Sequence, residues 1–301
     1  MNNNIKQGVI YMLFASFCFA VMGGFAKELS NDMSAVEVVF FRNVFGVIFL
    51  LGTFLKYPLS QKGGKFWLLL FRGFMGFLAL LAFFYNIAHI TLAEAMTYSR
   101  LSPVFTALFA FVFLKEKLYK TGWVGVIVGF AGIVFITRPE GIYDFDKYDL
   151  LGIFSGLGAA LAYTAVRELR EYYDTRSIVL SFMIIGTIGP VVLMIIGSFF
   201  SPKDLDYLFA KFIVPVPSDW IWIIFLGFSA TLAQVYMTKA YASAKAGIVG
   251  AISYSNIVFS IIIGAFLGDK YPDFYTMFGI ILIILAGIMV STQPKDIKTL
   301  H

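Results

Sequence analysis

Along this chain the apolar residues come in blocks rather than in an alternation of period two or 3.6. Ten blocks occupy positions 7–28, 34–55, 66–88, 91–114, 119–137, 149–169, 177–200, 219–241, 246–267 and 274–292, with polar residues gathered in the segments between them. An apolar helix of roughly 20 residues crosses the hydrocarbon layer and satisfies its own backbone there. The pattern therefore predicts an all-α integral membrane protein of ten transmembrane helices. The first block is too long for a cleavable leader and is followed by further spans, so it reads as the first of them.

Composition agrees. Of 301 residues, 59% are hydrophobic and 14% charged, 34 are Phe, and the mean hydropathy is +0.84. Soluble domains carry about 25% charged residues, and the shortfall says that most of the surface meets lipid. The charges that remain are unevenly placed. With the N-terminus inside, alternate loops hold 14 Lys and Arg on the cytoplasmic side against six outside, and five acids against 13. That bias orients the chain with both termini cytoplasmic. The net charge of +5 then reflects a basic inner face suited to anionic lipid headgroups, not to nucleic acid.

The two halves of the chain are alike. Residues 97–117, TYSRLSPVFTALFAFVFLKEK, align without gaps on 250–270, GAISYSNIVFSIIIGAFLGDK, pairing Ser102 with Ser255, Glu116 with Asp269 and Lys117 with Lys270. Each block runs into a Gly-rich span containing Ala-Gly-Ile, and Lys27-Glu28-Leu29 lines up with Arg167-Glu168-Leu169. Five spans per copy is an odd number, so the second copy must insert upside down. The expected organisation is two inverted five-helix repeats, 1–140 and 149–295, packed as one unit across the short linker 138–149 and enclosing a site near the midplane.

Local signals refine the picture. Pro103 and Pro190 interrupt spans four and seven and free carbonyls that need partners. Leu205, Leu208, Phe209 and Phe212 fall at helical spacing, which suits either an interfacial helix on the outer side or a plain loop. Glycines such as 132, 152 and 156 permit close helix approach, and all four Trp stand at span starts, where indoles anchor in the headgroups.

Three basic residues are left over from the loops: Arg42, Arg72 and Arg100. At about 1.5 Å per residue, Arg100 lies roughly 14 Å and Arg42 roughly 12 Å below the outer surface, and Arg72 roughly 10 Å above the inner one. An intramembrane cation faces a cavity, an acid or a ligand. Small or polar residues neighbour each arginine, and the nearest acids are Glu37 and Glu94, three or four residues into their spans. Two acids cannot neutralise three arginines. An anionic or zwitterionic substrate can, because guanidinium forks bind carboxylate and phosphate in bidentate fashion. The architectural alternative has the arginines capping broken-helix carbonyls or pairing with Glu37 and Glu94. The internal alignment sets Phe182 opposite Arg42 and Ser253 opposite Arg100, and this lopsided charge favours binding over architecture. From the second half, Tyr163, Gln234, Tyr236, Ser253 and Asn256 offer neutral hydrogen bonds and aromatic faces, joined by Tyr98 and Ser102 from the first.

One Cys and two His leave no expectation of a disulfide, a metal site or a cofactor. Pro103 in span four, LKEKL at 114–118, the Gly-rich fifth span and TRPEG at 137–141 resemble the first-half signature of the EamA family of ten-helix drug/metabolite transporters. The second copy departs from it, with Asn256 where the first has Pro103 and Asp269 where Glu is usual. FFRN at 40–43, LLFRGFMGF at 69–77 and LAEAMTYS at 92–99 look like the branch containing S-adenosylmethionine permeases and riboflavin carriers. The resemblance implies a cavity shared by spans one to four and six to nine, in the plasma membrane of a bacterial cell.

The expectation is a secondary transporter, not an enzyme, that moves a small anionic or zwitterionic metabolite, amino-acid-like or S-adenosylmethionine-like, by alternating access. Arg42, Arg72 and Arg100 would hold its anionic group, with Tyr98, Ser102, Tyr163, Gln234, Tyr236, Ser253 and Asn256 around the remainder. Glu94 and Glu37 are the only candidates for coupling acids, so exchange or facilitated flow is favoured over proton symport. Partners are the substrate and membrane lipids; a homodimer is compatible with this reading. The alternatives are an exporter of drugs or other metabolites of the same superfamily and a membrane enzyme acting on lipid-linked substrates. The enzyme would need clustered acids, which the spans lack.

Overall fold

The computed structural model describes residues 3–56, 61–114, 119–137, 146–169, 171–200, 202, 205–243 and 252–291. Most of the 138–149 linker, the LKEKL and TRPEG motifs beyond their first residues, and the chain after 291 lie outside the described residues. Among those described, every regular element is a helix: α1 (Asn3–Leu29), α2 (Ala35–Lys56), α3 (Phe66–His89), α4 (Leu92–Ser99), α5 (Ser102–Leu114), α6 (Lys120–Thr137), α7 (Lys147–Leu169), α8 (Thr175–Phe199), α9 (Asp219–Ser243), α10 (Ser255–Phe266) and α11 (Phe274–Ser291). Six of them, α1, α2, α3, α7, α8 and α9, contain segments long and apolar enough to cross a bilayer, and α6, α10 and α11 are shorter apolar helices. Large apolar side chains cover the outside, Trp67, Phe199 and Phe266 among them. Such a surface suits lipid and not water.

The fourth predicted span is two helices. At the break, the Arg100 amide donates to the carbonyls of Met96 and Thr97, and α5 opens with Ser102-Pro103. Proline is tolerated in a first turn, where its missing N–H has no intrahelical partner anyway. The ninth span breaks in the same register: Tyr254 is a turn residue and α10 begins at Ser255, the residue that the internal alignment pairs with Ser102. Asn256 stands where the first copy has Pro103, so proline alone does not cause the break.

Helix pairing is systematic. α1 packs along α9 and α3 along α7, while α2 packs on α8 and α6 on α11. Exchanging α1 with α7, α2 with α8, α3 with α9 and α6 with α11 turns this set of pairs into itself. Close approach rests on glycine. A Cβ on Gly132 would sit 2.9 Å from the Gly279 carbonyl and one on Gly279 would sit 2.7 Å from that of Gly132, so the backbones of α6 and α11 touch directly.

Two helix starts explain the two acids near the membrane surface. Ser34 and Glu37 open α2, with the Ser34 amide donating to Glu37 Oε2 at 2.9 Å and the Glu37 amide to Ser34 Oγ at 3.3 Å. Thr91 and Glu94 repeat the arrangement at α4. These are capping boxes, the S/T-x-x-E device that satisfies orphan N-terminal amides.

The segment after α8 is not an interfacial helix. Residues 205–208 make a single turn, and 209–216 run on without regular structure. The segment folds back over the bundle end. Tyr207 and Leu208 pack on the main core cluster, Tyr85 Oη donates to Asp206 at 2.7 Å, and the Ile213 amide donates to Glu37 Oε1 at 2.7 Å. These polar tethers hold it more firmly than helical spacing alone can.

Candidate functional site

Arg42 on α2 and Arg72 on α3 come together inside the bundle. The two helices converge on α8, and both guanidinium groups lie against the ring of Phe182, with Cζ at 5.6 Å from its centre for Arg42 and 4.7 Å for Arg72. Small residues allow it. A Cβ on Gly76 would meet Phe182 at 2.9 Å, and one on Gly46 would meet Met183 at 2.6 Å. Arg42 is 7% exposed and Arg72 8%, so neither side chain reaches out to the headgroups.

Their hydrogen bonding is incomplete. Arg42 Nη1 donates to Asn43 Oδ1 at 2.9 Å, but Arg42 Nε and both Nε and Nη1 of Arg72 have no acceptor. No carboxylate among the described residues pairs with either group. Tyr163, on α7, is 53% exposed. The site thus consists of two buried positive charges, an aromatic face and the Asn43 amide.

Asn43 anchors this arrangement. Its Nδ2 donates to the Val39 carbonyl of its own helix at 2.8 Å and to the Gly186 carbonyl of α8 at 3.1 Å, leaving Oδ1 for Arg42. A side chain at 186 would collide with Asn43. Neither Asn43 nor Phe182 stands among the residues expected to bind substrate. The available signals were the adjacency of Asn43 to Arg42 in FFRN and the alignment of Phe182 with Arg42.

The other expected residues are distributed elsewhere. Tyr98 is buried under α7, where its ring fills the space left by Gly152 and its hydroxyl donates to Asp149. Ser102 starts α5 beside Gly156. Arg100 sits at the α4–α5 break, and its carbonyl accepts from Tyr254 Oη at 3.3 Å. Ser253 and Asn256 face α1: the Ser253 carbonyl accepts from Ser16 Oγ, and Asn256 Nδ2 donates to the Ser16 carbonyl at 2.9 Å. Tyr236 packs edge-on against Phe14 and beside Tyr11, and Gln234 is half-buried two residues before it. Glu37 and Glu94 are engaged in their capping boxes. The structure therefore joins Arg42 and Arg72 through Phe182, and sets Arg100 with the α1–α10 contact as a separate neighbourhood.

Both ends of the bundle carry ties between the chain's halves. At one end Lys27 pairs with Asp269 and also donates to the Ile90 carbonyl at 3.0 Å, while Asp269 Oδ2 accepts from the Leu92 amide at 2.8 Å. An open cleft of about 440 Å³ lies there, lined by Lys27, His89, Glu94 and Asp269. At the opposite end Lys65 pairs with Glu168, and the Tyr172 carbonyl accepts from the amides of Lys62 and Gly63. The Glu168 carboxylate raises the pKa of the Lys65 ammonium.

Comparison with known proteins places this geometry. Residues 6–138 and 146–292 each match the EamA-like transporter family. The chain is 37% identical to an uncharacterized transporter of Helicobacter pylori, with 99% of each chain covered. It is 33% identical to the pseudopaline exporter CntI of Pseudomonas aeruginosa, covering 97% of this chain and 98% of the relative. An S-adenosylmethionine uptake transporter of Rickettsia bellii is 25% identical over 98% of both. A multi-pass bundle with a lipid-facing surface and these relatives is a membrane transporter of a small molecule and not an enzyme, and the chain belongs to the EamA-like transporter family.

Proposed function

We propose that this transporter moves a small anionic or zwitterionic metabolite, amino-acid-like or S-adenosylmethionine-like, and that Arg42 and Arg72 hold its carboxylate or phosphate. One observation carries the reading. Two guanidinium groups are more than nine-tenths buried with unfilled donors, while the acids expected to neutralise them, Glu37 and Glu94, are bonded to their own helix starts. Leaving a buried charge unpaired costs several kcal/mol. A ligand that supplies the missing acceptors is therefore stabilised where it is needed.

The mechanism is alternating access between two inverted copies, 1–140 and 149–295, with both termini cytoplasmic. Support comes from the self-mapping helix pairs, from the matching breaks at Ser102 and Ser255, and from the contact between Arg42 and its aligned counterpart Phe182. The ten spans count α4 and α5 as one crossing, and the ninth as α10 with the residues before it. In this orientation the Lys27–Asp269 tie closes the outer end. Among the described residues, Glu37 and Glu94 are engaged as helix caps rather than set beside the two arginines, and exchange or facilitated flow fits better than symport. A second reading, export, is favoured by the 33%-identical pseudopaline exporter.

Counterflow in proteoliposomes tests this. Vesicles preloaded with an unlabelled amino acid or S-adenosylmethionine should accumulate the labelled compound, and Arg42→Gln and Arg72→Gln should each reduce uptake at least tenfold. Uptake unchanged in both variants would remove the assignment.

A further inference from the structure

We infer that the Arg42–Arg72 site takes a small organic dianion whose two negative charges sit on separate carboxylates. The inference rests on the reading of these two arginines as the substrate site and narrows the ligand to dicarboxylic compounds, amino diacids among them, setting aside the single-carboxylate S-adenosylmethionine.

The reasoning is one of charge and spacing. Both guanidinium groups are buried and each keeps at least one N–H without an acceptor. The groups set against them are neutral: the Asn43 amide and the Phe182 ring. A ligand with one carboxylate would neutralise one arginine and leave the other as an uncompensated charge, now in a drier pocket. A ligand with two negative charges neutralises both. Arg42 Nη1 is already engaged by Asn43, and the unfilled donors, Nε on one arginine and Nε with Nη1 on the other, belong to different side chains. One carboxylate can bridge both side chains but brings a single charge, so it is the charge count that calls for a second anionic group.

Spacing selects among dianions. The Cζ atoms stand 5.6 Å and 4.7 Å from the same ring centre, so the two guanidinium carbons are separated by no more than the sum of those distances. That upper bound keeps both guanidinium groups within reach of one small diacid, and linkers of about one to three carbons are the range to probe. Phe182 cannot hydrogen-bond a carboxylate. It gives the carbon backbone of the ligand an apolar face.

The test is binding to purified, detergent-solubilised protein, read as thermal stabilisation against ligand concentration. The probes are malonate, succinate and glutarate, the half-amide succinamate and inorganic phosphate. The expected result is that at least one diacid acts at a tenfold lower concentration than succinamate or phosphate, and that Arg42→Gln or Arg72→Gln lowers this preference to about twofold. The wild-type comparison stands if a variant fails to fold. Succinamate equal to the best diacid, phosphate acting alone, or no diacid acting at all would each overturn the inference. In the first case the anionic site itself survives; it falls only if amino-acid counterflow is also indifferent to both arginines.

Discussion

Replacing Asp269 by Asn isolates one charge at the Lys27 end of the bundle. Asn keeps the shape and an oxygen for the Leu92 amide, but it removes the partner of Lys27. The two side chains are 20% and 12% exposed, between a surface pair worth about 0–1 kcal/mol and a buried one whose disruption costs about 3–5 kcal/mol. An intermediate loss of about 1.5–2 kcal/mol shifts the balance towards an opened end by roughly 10- to 30-fold. Ala93, which is buried beside Asp269 together with Thr91, Ser260 and Gly264, offers a reporter. Because Cys18 is the single cysteine, Ala93→Cys in a Cys18→Ser background gives one thiol, and its maleimide labelling rate in detergent follows the opened fraction. Asp269→Asn should speed labelling by that factor with little change in unfolding temperature, and Lys27→Gln should act alike. Acceleration below threefold in a protein of unchanged stability would show that the ion pair does not hold this end shut.

Other perturbations probe the site and the packing. Asn43→Asp places a carboxylate beside Arg42 but gives up the two donations to the Val39 and Gly186 carbonyls; the protein should unfold at a lower temperature and, where folded, bind anions at least tenfold more weakly, as measured by ligand-induced stabilisation. Gly152→Ala puts a methyl 2.5 Å from the Tyr98 ring; overpacking of this kind costs about 1–3 kcal/mol, which a lowered unfolding temperature in detergent should show. Asp174 caps α8 by accepting from the Arg176 amide, and Arg176 holds its pKa below the usual value. Asp174→Ala should cost about 0.5–2 kcal/mol. A depressed carboxylate contributes its stability above the unfolded-state pKa and loses it as pH falls through the folded one, so the gap between wild type and variant should close only in strong acid.

Much of the fold was legible because membrane helices are written in long apolar blocks. The fourth block was legible as two helices only in part: the polar run Thr97–Arg100 and Pro103 mark the place, but only the structure shows α5 starting afresh at Ser102, with the Arg100 carbonyl accepting from Tyr254 across the bundle. The segment 201–219 shows the converse. Leu205, Leu208 and Phe209 have helical spacing, yet tethers to Tyr85 and Glu37 hold most of the described part as irregular chain. Within the candidate site, the depth of Arg42 and Arg72 could be read by counting residues. The roles of Glu37 and Glu94 were written in Ser34-x-x-Glu37 and Thr91-x-x-Glu94 but were obscured by treating every intramembrane acid as a partner for arginine.

By itself the sequence determined that the chain crosses a bilayer and that its two halves share a pattern, because hydropathy and residue order are properties of each segment alone. Tertiary structure decided that Arg42 and Arg72 share Phe182 while Arg100 lies at a different junction. That outcome depends on how α2 and α3 meet α8, which is set by glycine contacts between helices far apart in the chain. Periodicity within one helix carries no information about such crossings.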